Sequence, residues 1–241
     1  MTELLAERAR RVIAIEIDAT LAANLAEKLG AKSQIEVLQA DILKTDIAAL
    51  CRQHQAEKCF VFGNLPYYIT SPILHRLFGF WSRIRAMALL VQREVAERLT
   101  AVPGTHAYGY LSVLTQLHSQ PRIVLNVPPG AFVPPPKIHS ALVGFEMIPE
   151  LPEWVREREA TRIPPGQAAR PREIPFQPAA AFLDFVKCCF AQKRKSLRNN
   201  LTGTFSRQRV VQALTSLDLP PNIRAEQLAF EQFASLFRQL H

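Results

Sequence analysis

The length, composition and charge of this chain exclude disordered, membrane-spanning and secreted proteins. Its 241 residues suffice for a large domain with a core and a small second domain, and 48% hydrophobic residues argue against disorder. The longest apolar run, 86–91, is too short to cross a bilayer, and the first residues form no secretory signal, so we expect a soluble, cytoplasmic protein. The formal net charge of +8 favours a polyanionic partner, usually nucleic acid, although charge alone leaves RNA, DNA and an acidic membrane open.

Short apolar runs alternate with helical patterns through residues 12–148. The runs typical of buried strands are 12–15, 35–38, 59–62 and 87–91, and the helical patterns are 19–29, 93–100 and 108–117. Gly30 is predicted to end the first of these helices in the left-handed conformation. Such alternation predicts a largely parallel sheet covered on both faces, closed by an antiparallel pair at 123–125 and 141–145.

Acidic residues follow the first two predicted strands. Glu16 stands where a dinucleotide fold places the carboxylate that binds ribose hydroxyls. Asp41 stands where a carboxylate can accept a hydrogen bond from an adenine amino group, with Ile42 packed on the ring. Either carboxylate alone is as readily a solvated strand end. Because Asn64 also ends a strand, we expect all three polar groups to converge on one sheet edge, which favours a cofactor site.

The glycine-rich turn that normally accompanies such a site is not found. It lies about 20 residues before the ribose carboxylate, which here would place it before Met1. Residues 3–11 are predicted to be the helix that follows this turn, so the central strand of the sheet is also missing. We expect either an N-terminally truncated version of a longer enzyme or a protein that works without a complete cofactor pocket.

Residues 63–68, Gly-Asn-Leu-Pro-Tyr-Tyr, follow the third predicted strand. Asn64 offers both an acceptor oxygen and donor hydrogens, and Tyr67 offers a flat face to a planar ring. A proline turn with an aromatic packed over the sheet edge is the ordinary alternative. The position after a buried strand and before a helix start at Ser71-Pro72 favours a clamp for an amino group on an aromatic base.

The character of the chain changes at residue 149. Residues 149–178 contain seven prolines and no sustained apolar period, which predicts a linker or extended loop. Helical patterns follow at 179–190, 207–217 and 225–240. We therefore divide the chain into a sheet domain at 1–148, the proline-rich segment at 149–178 and a small all-α domain at 179–241.

Positive charge is concentrated in the last part of the chain. Residues 151–241 contain 14 Lys and Arg against 8 Asp and Glu, whereas residues 1–150 contain 15 against 13. The densest cluster is Lys193, Arg194, Lys195 and Arg198. A solvated helix face is the ordinary interpretation of such a cluster, and phosphate contact becomes the favoured one beside an RNA-modifying domain.

No metal site is predicted from the cysteines or histidines. Cys51, Cys59, Cys188 and Cys189 lack paired C-x-x-C spacing, and adjacent cysteines in a helix do not readily form a bridge, so we interpret all four as free thiols. The six histidines form no H-E-x-x-H pattern.

Several long motifs in a fixed order resemble the ribosomal RNA adenine N6,N6-dimethyltransferases. Besides Asn-Leu-Pro-Tyr at 64–67, these are Val-Gln-Arg-Glu-Val-Ala-Glu-Arg-Leu at 91–99, Pro-Gly at 103–104, Tyr-Gly-Tyr-Leu-Ser-Val at 108–113, Ala-Phe-Val-Pro-Pro-Pro-Lys-Ile-His-Ser at 131–140 and Phe-Ala-Gln-Lys-Arg-Lys-Ser-Leu-Arg-Asn-Asn-Leu at 190–201. The resemblance covers nearly everything from Val12 onward except 149–178. It implies a Rossmann-like class I methyltransferase sheet, here without its first strand and glycine-rich loop, and S-adenosylmethionine as the cofactor.

The resemblance also implies roles for individual residues. Glu16 and Ile17 would contact the cofactor ribose, Asp41 and Ile42 its adenine, and Asn64 would lie between cofactor and target.

The target adenosine would be held by the motif that ends the third strand. The Asn64 side chain and the Leu65 carbonyl would bind its N6 amino group beside the Pro66 turn. Tyr67 and Phe132 would clamp a base that has left its stack. For Phe132 alone, a core aromatic is the default interpretation.

The small-subunit branch of this family fits the motifs better than the large-subunit, antibiotic-resistance branch. The expected function is transfer of methyl groups to two adjacent adenosines near the 3′ end of small-subunit rRNA, by a monomer that acts on rRNA or the immature small subunit without a membrane or metal. The alternatives are a non-catalytic rRNA-binding or ribosome-assembly protein and a large-subunit rRNA adenine methyltransferase.

Overall fold

The computed structural model of the chain describes residues 1–30, 32–155 and 179–241. The strands in these residues are β1 Val12–Glu16, β2 Ile35–Gln39, β3 Cys59–Asn64, β4 Ile84–Gln92, β5 Ser119–Val127 and β6 Ser140–Met147. The α-helices are α1 Thr2–Ala6, α2 Ala19–Leu29, α3 Ile47–Gln53, α4 Thr70–Phe78, α5 Arg93–Leu99, α6 Tyr110–His118, α7 Ala180–Cys189, α8 Leu197–Leu201, α9 Arg207–Ser216 and α10 Phe230–Leu240. Among these helices, none combines the length and apolar character needed to cross a bilayer.

The described strands form two separate sheets. β1 and β2 pair in parallel, with Val12 opposite Ile35 and Glu16 opposite Gln39. The larger sheet has the order β3-β4-β6-β5, in which β3 and β4 are parallel and β6 is antiparallel to both β4 and β5. Within the described ranges no strand pairs with the second edge of β1 or of β3. The predicted antiparallel closing pair is confirmed by β5 and β6.

The prediction that both faces of the sheet are covered is wrong for β3. Successive side chains of a strand point to opposite faces. Val61 is partly buried against the main core, whereas Phe60 is 64% exposed and Phe62 50% exposed on the opposite face. One face of this edge strand is therefore open to solvent along its whole apolar run.

The main core lies between the larger sheet and the helices that pack on it. Met87, Leu89 and Val91 of β4 alternate at period 2 and are almost fully buried, together with Val143 and Phe145 of β6. A side chain of this size contributes about 1.5–3 kcal/mol when it is fully buried. These two paired strands are therefore the most firmly anchored part of the sheet.

The C-terminal helices share this core. Phe182 and Phe237 lie with ring centroids 5.5 Å apart, and Trp154 lies 4.9 Å from Phe182. Leu151 and Val155 are also buried, so the first residues of the predicted 149–178 segment are packed. The remainder of that segment lies outside the described residues.

Several element boundaries differ from the sequence prediction. Gly30 has φ −64°, a right-handed value, so the left-handed conformation predicted at the end of α2 is not found. The N-terminal helix ends at Ala6, well before the predicted Arg11, and α10 begins at Phe230 after a short 3₁₀ turn at Ala225–Gln227. The other predicted helices and strands are found within a few residues of their expected positions.

Candidate active site

The turn after β3 is fixed at both ends. The Leu65 amide donates to the Leu90 carbonyl at 3.0 Å, which extends the pairing of β3 with β4 beyond Asn64. Gly63 permits this close packing, since a Cβ there would lie 2.9 Å from Cδ2 of Leu65. At the other end, Thr70 Oγ1 donates to the Pro66 carbonyl at 3.2 Å. The motif is thus clamped between a strand and the start of α4.

The groups predicted to bind an amino nitrogen are available at this turn. Asn64 is exposed, while the Leu65 side chain is buried in the core with 7% exposure. Among the described residues, none hydrogen-bonds to the side-chain amide of Asn64 or to the Leu65 carbonyl oxygen. An acceptor on a fixed backbone and a polar side chain beside it can hold an amino group in one orientation.

Tyr67 is tied to a strand that lies two places away in the sheet. Its Oη lies 2.9 Å from Oγ of Ser140, which is completely buried at the first position of β6. Ser140 pairs with Gln92 of β4 and Val127 of β5. The phenol ring is therefore anchored at its outer end as well as at its backbone.

Phe132 lies in the loop that leads to this anchor. It follows a 3₁₀ turn at Pro129–Ala131, is half-buried, and its amide donates to the Pro129 carbonyl at 3.1 Å. Its loop enters β6 at Ser140, the residue that contacts Tyr67. The loop and the turn after β3 therefore meet at one sheet edge, while stacking of both rings on one base stays a prediction.

Each of the two predicted cofactor carboxylates accepts a hydrogen bond from the backbone amide two residues further along the chain. Glu16 Oε1 accepts from the Asp18 amide at 2.9 Å, and Asp41 Oδ1 accepts from the Leu43 amide at 2.9 Å. The strands that carry them are neighbours, and the Ala40 amide donates to the Glu16 carbonyl at 2.9 Å. In each carboxylate, the second oxygen has no hydrogen-bond donor among the described residues.

The flanking apolar residues differ in exposure. Ile17 is 67% exposed, and Ile42 is partly buried against the main core. An exposed Ile17 beside Glu16 leaves an apolar surface next to a carboxylate, which suits a ligand with both a polar sugar and a flat ring. The arrangement of these residues agrees with their predicted role without testing it.

Arg76 connects the loop after β2 to α4, and no motif in the sequence predicted this contact. Its Nη2 donates to the Thr45 carbonyl at 2.7 Å, and its guanidinium lies 4.9 Å from the centroid of the Phe80 ring. Burial lowers the pKa of Arg76, while the charges of Asp46 and Asp41 oppose that shift. Arg76 thus connects Asp41 and its loop to the helix that follows the Asn-Leu-Pro-Tyr turn.

The basic cluster lies in the connection from α7 to α8 rather than along one helix face. Lys193, Arg194 and Lys195 are exposed in that connection, and Arg198 lies in α8. Lys193 Nζ donates to the His106 carbonyl and lies 3.9 Å from a Glu226 carboxylate oxygen. Contacts within the protein therefore partly neutralise the Lys193 charge. The other three form no ion pair with any described residue.

Comparison with known proteins identifies the family. The family model described as "Ribosomal RNA adenine dimethylase" matches residues 1–159. This chain belongs to that family. The expectations of an rRNA adenine dimethylase and of a Rossmann-like methyltransferase fold are confirmed.

Two curated bacterial relatives match this chain over its whole length. A ribosomal RNA small subunit methyltransferase A from Acidobacterium capsulatum is 39% identical over 241 residues, which cover 100% of this chain and 77% of the relative. A protein of the same name from Koribacter versatilis is 36% identical, with 100% of this chain and 80% of the relative covered.

Two solved structures are similar in fold to this chain. The 23S rRNA methyltransferase ErmE is 27% identical with a TM-score of 0.67, over 99% of this chain and 85% of that one. A dimethyladenosine transferase from Plasmodium falciparum is 22% identical with a TM-score of 0.72, over 97% of this chain and 82% of that one. The second likeness shows the fold alone.

Proposed function

We propose that this chain transfers methyl groups from S-adenosylmethionine to N6 of two adjacent adenosines near the 3′ end of small-subunit rRNA. The observation that carries the proposal is the fixed turn after β3, where the Asn64 amide and the Leu65 carbonyl are free to bind an amino group. The names of the two bacterial relatives support the small subunit as the source of the RNA. Action on an immature small subunit would place the protein in the cytoplasm.

The cofactor side of the site suits S-adenosylmethionine. The free oxygens of Glu16 and Asp41 would accept hydrogen bonds from the ribose hydroxyls and the adenine amino group, with Ile17 and Ile42 against the apolar parts. When bound, S-adenosylmethionine supplies a methyl group on a positively charged sulfur that leaves as a neutral thioether. Two carboxylates with one oxygen each already fixed by a backbone amide need little reorganisation to bind.

The target side activates a poor nucleophile by position. The N6 lone pair of adenine is delocalised into its ring, so it attacks weakly while the nitrogen stays planar. Hydrogen bonds from N6 to the Asn64 side chain and the Leu65 carbonyl favour a pyramidal nitrogen whose lone pair points toward the methyl donor. Positioning of this kind supplies much of the rate without a strong general base, and the proton can leave after transfer.

The RNA side combines stacking and phosphate contact. A target base that leaves its stack would lie on the Tyr67 ring, with Phe132 as the second face. Arg194, Lys195 and Arg198 are free to contact phosphates in the proposed helical RNA-binding domain at 179–241. Charge contacts would hold the RNA, and the turn after β3 would select the base.

Methyl transfer to unmodified small subunits tests the proposal. The purified chain is incubated with methyl-labelled S-adenosylmethionine and either subunit, and the modified adenosines are mapped by mass spectrometry. We expect N6,N6-dimethyladenosine at two adjacent positions of small-subunit rRNA. Asn64→Ala should lower the rate by about 100-fold because the nitrogen is no longer oriented, whereas Asn222→Ala, an exposed amide outside the site, should not change it.

Other outcomes separate the alternatives. Labelling of large-subunit RNA alone would favour the ErmE-like activity. A chain that binds RNA but transfers no methyl group would favour a non-catalytic assembly role if it also binds S-adenosylmethionine weakly. Weak binding here means a calorimetric Kd of about 1 mM or higher, which corresponds to a standard binding free energy of about −4 kcal/mol or weaker. An Arg194, Lys195 and Arg198 triple Gln variant that binds RNA with an unchanged salt dependence would contradict the phosphate contacts.

A further inference from the structure

We infer that Ser140 is a positioning residue that sets the orientation of the Tyr67 ring for the target base. The inference rests on the proposed function and adds a residue for which the sequence predicted no role. Its hydroxyl lies 2.9 Å from Tyr67 Oη, and no part of its side chain is exposed. A buried hydroxyl that contacts a residue 73 positions away joins two segments that local structure does not connect.

Ser140 is held in place more firmly than the residue it contacts. Its register pairs it with Gln92 on one side and Val127 on the other, so three strands fix its position. Immediately before it, the His139 carbonyl accepts from the Arg93 amide at 3.0 Å, which attaches the same point to α5. Tyr67, by contrast, begins a 3₁₀ turn and is only half-buried. The serine is therefore the fixed partner and the phenol the adjustable one.

The anchor restricts the motion that would matter for stacking. A tyrosine attached only by its backbone can change its χ1 rotamer and swing its ring away from the turn. A hydrogen bond at the phenolic end allows only rotamers that keep Oη beside Ser140. The face that the ring presents to a base is thereby set before RNA binds, which avoids ordering the side chain on binding.

The contact between Ser140 and Tyr67 lies at the same end of the sheet as the proposed site. Ser140 begins β6 where the antiparallel β4 ends, and the parallel strand β3 ends at Asn64 beside the same edge. The anchor, the turn that binds N6 and the loop that carries Phe132 therefore lie at one end of the sheet. A ring displaced from this anchor would leave N6 misaligned while leaving phosphate contacts elsewhere intact.

Ser140→Ala tests the inference against a matched control. Ser119→Ala also removes a buried serine hydroxyl, one that donates to the Thr115 carbonyl at 3.0 Å on the far side of the domain. We expect Ser140→Ala to lower the kcat of methyl transfer by roughly tenfold, the loss typical of one neutral hydrogen bond, with KM for RNA nearly unchanged. Ser119→Ala should leave the kcat and KM close to those of the parent chain.

A binding measurement gives a readout that does not need methyl transfer. Small-subunit rRNA fragments carry 2-aminopurine at either target adenosine. Because its amino group is at C2 and it has no N6, its fluorescence reports stacking alone, and stacking on Tyr67 should quench it. The quench should shrink in Ser140→Ala and in Tyr67→Phe, which removes the same hydrogen bond from the other side. The double variant should lose no more than either single variant, because only one contact is removed.

The outcomes separate the two proposals. A parent chain that neither quenches the fluorescence nor transfers methyl groups overturns the proposed function and this inference with it. A parent chain that does both, while Ser140→Ala behaves like Ser119→Ala, overturns the positioning role alone. Losses that add in the double variant would also overturn it, since the two hydroxyls would then act separately.

Discussion

The two sheets of this protein carry different halves of the proposed site and differ in how many buried side chains support them. The larger sheet carries Asn64 and Tyr67, and its β4 and β6 strands belong to a core that continues into the C-terminal helices. The small sheet carries Glu16 and Asp41, and its own buried cluster consists of Ala6, Leu29 and Ile35.

The two parts of the proposed site are therefore stabilised by different interactions. Buried apolar area stabilises the target-binding edge, so its geometry is tied to global folding. The edge with Glu16 and Asp41 is supported by local backbone turns, by the packing of Ile42 and Leu43 against the main core, and by a few polar contacts. One of these contacts is the hydrogen bond from Arg76 to the Thr45 carbonyl. Regions with few buried contacts open at lower free energy than the core does.

The largest contrast should come from equivalent truncations in the two cores. Leu89→Ala, in the centre of β4, should lower the free energy of unfolding by about 3–4 kcal/mol, since it removes a fully buried side chain and leaves a cavity. Ile35→Ala, in the small cluster, should cost roughly half as much. Urea denaturation followed by far-UV circular dichroism measures both, since this signal reports the helices and strands of both parts. Equal losses would contradict the idea that the small sheet is weakly supported.

A smaller effect should separate the halves by pH. Burial lowers the pKa of His118 to about 4, and its neutral ring donates from Nδ1 to the Leu114 carbonyl at 2.9 Å against Phe78. Because the folded pKa lies below the unfolded value of 6.5, this stabilisation is complete above pH 6.5 and is lost as the pH falls toward 4.

Between pH 7 and pH 5 the loss of stability from His118 should be about 1–2 kcal/mol. His118→Asn cannot titrate there, so its free energy of unfolding should fall less over the same range. Denaturant titrations of both proteins at each pH measure the difference. Parallel pH profiles would show that His118 is not the group that makes the larger half acid-sensitive.

The smallest effect should come from the link between the halves. Arg76→Met keeps much of the apolar stem but removes the donor to the Thr45 carbonyl, at an expected cost of about 1 kcal/mol. Amide hydrogen exchange should become faster across residues 41–45 and remain unchanged in β4. Arg83→Met, which loses only a 3.5 Å contact to the Glu57 carbonyl, is the control. Equal protection in both variants would argue that Arg76 does not connect the two sides.

The sequence predicted most elements and the chemistry of the site from local information. Short continuous apolar runs identified β1 to β4, and the Asn-Leu-Pro-Tyr motif identified the turn after β3, because apolar runs and proline turns depend on residues close in the chain. The α/β class and the family were confirmed, whereas the individual roles of the site residues stay predictions.

What the sequence alone determined was therefore the order of elements and the residue types at the strand ends. Which distant residues support these elements depends on the tertiary packing. Ser140 and Tyr67 are 73 residues apart, and Arg76 and Thr45 are 31 apart, so no local pattern connects either pair. The exposure of Phe60 and Phe62 was decided in the same way. A strand's own sequence specifies which residues share a face, but only the packing of other elements determines whether that face is covered.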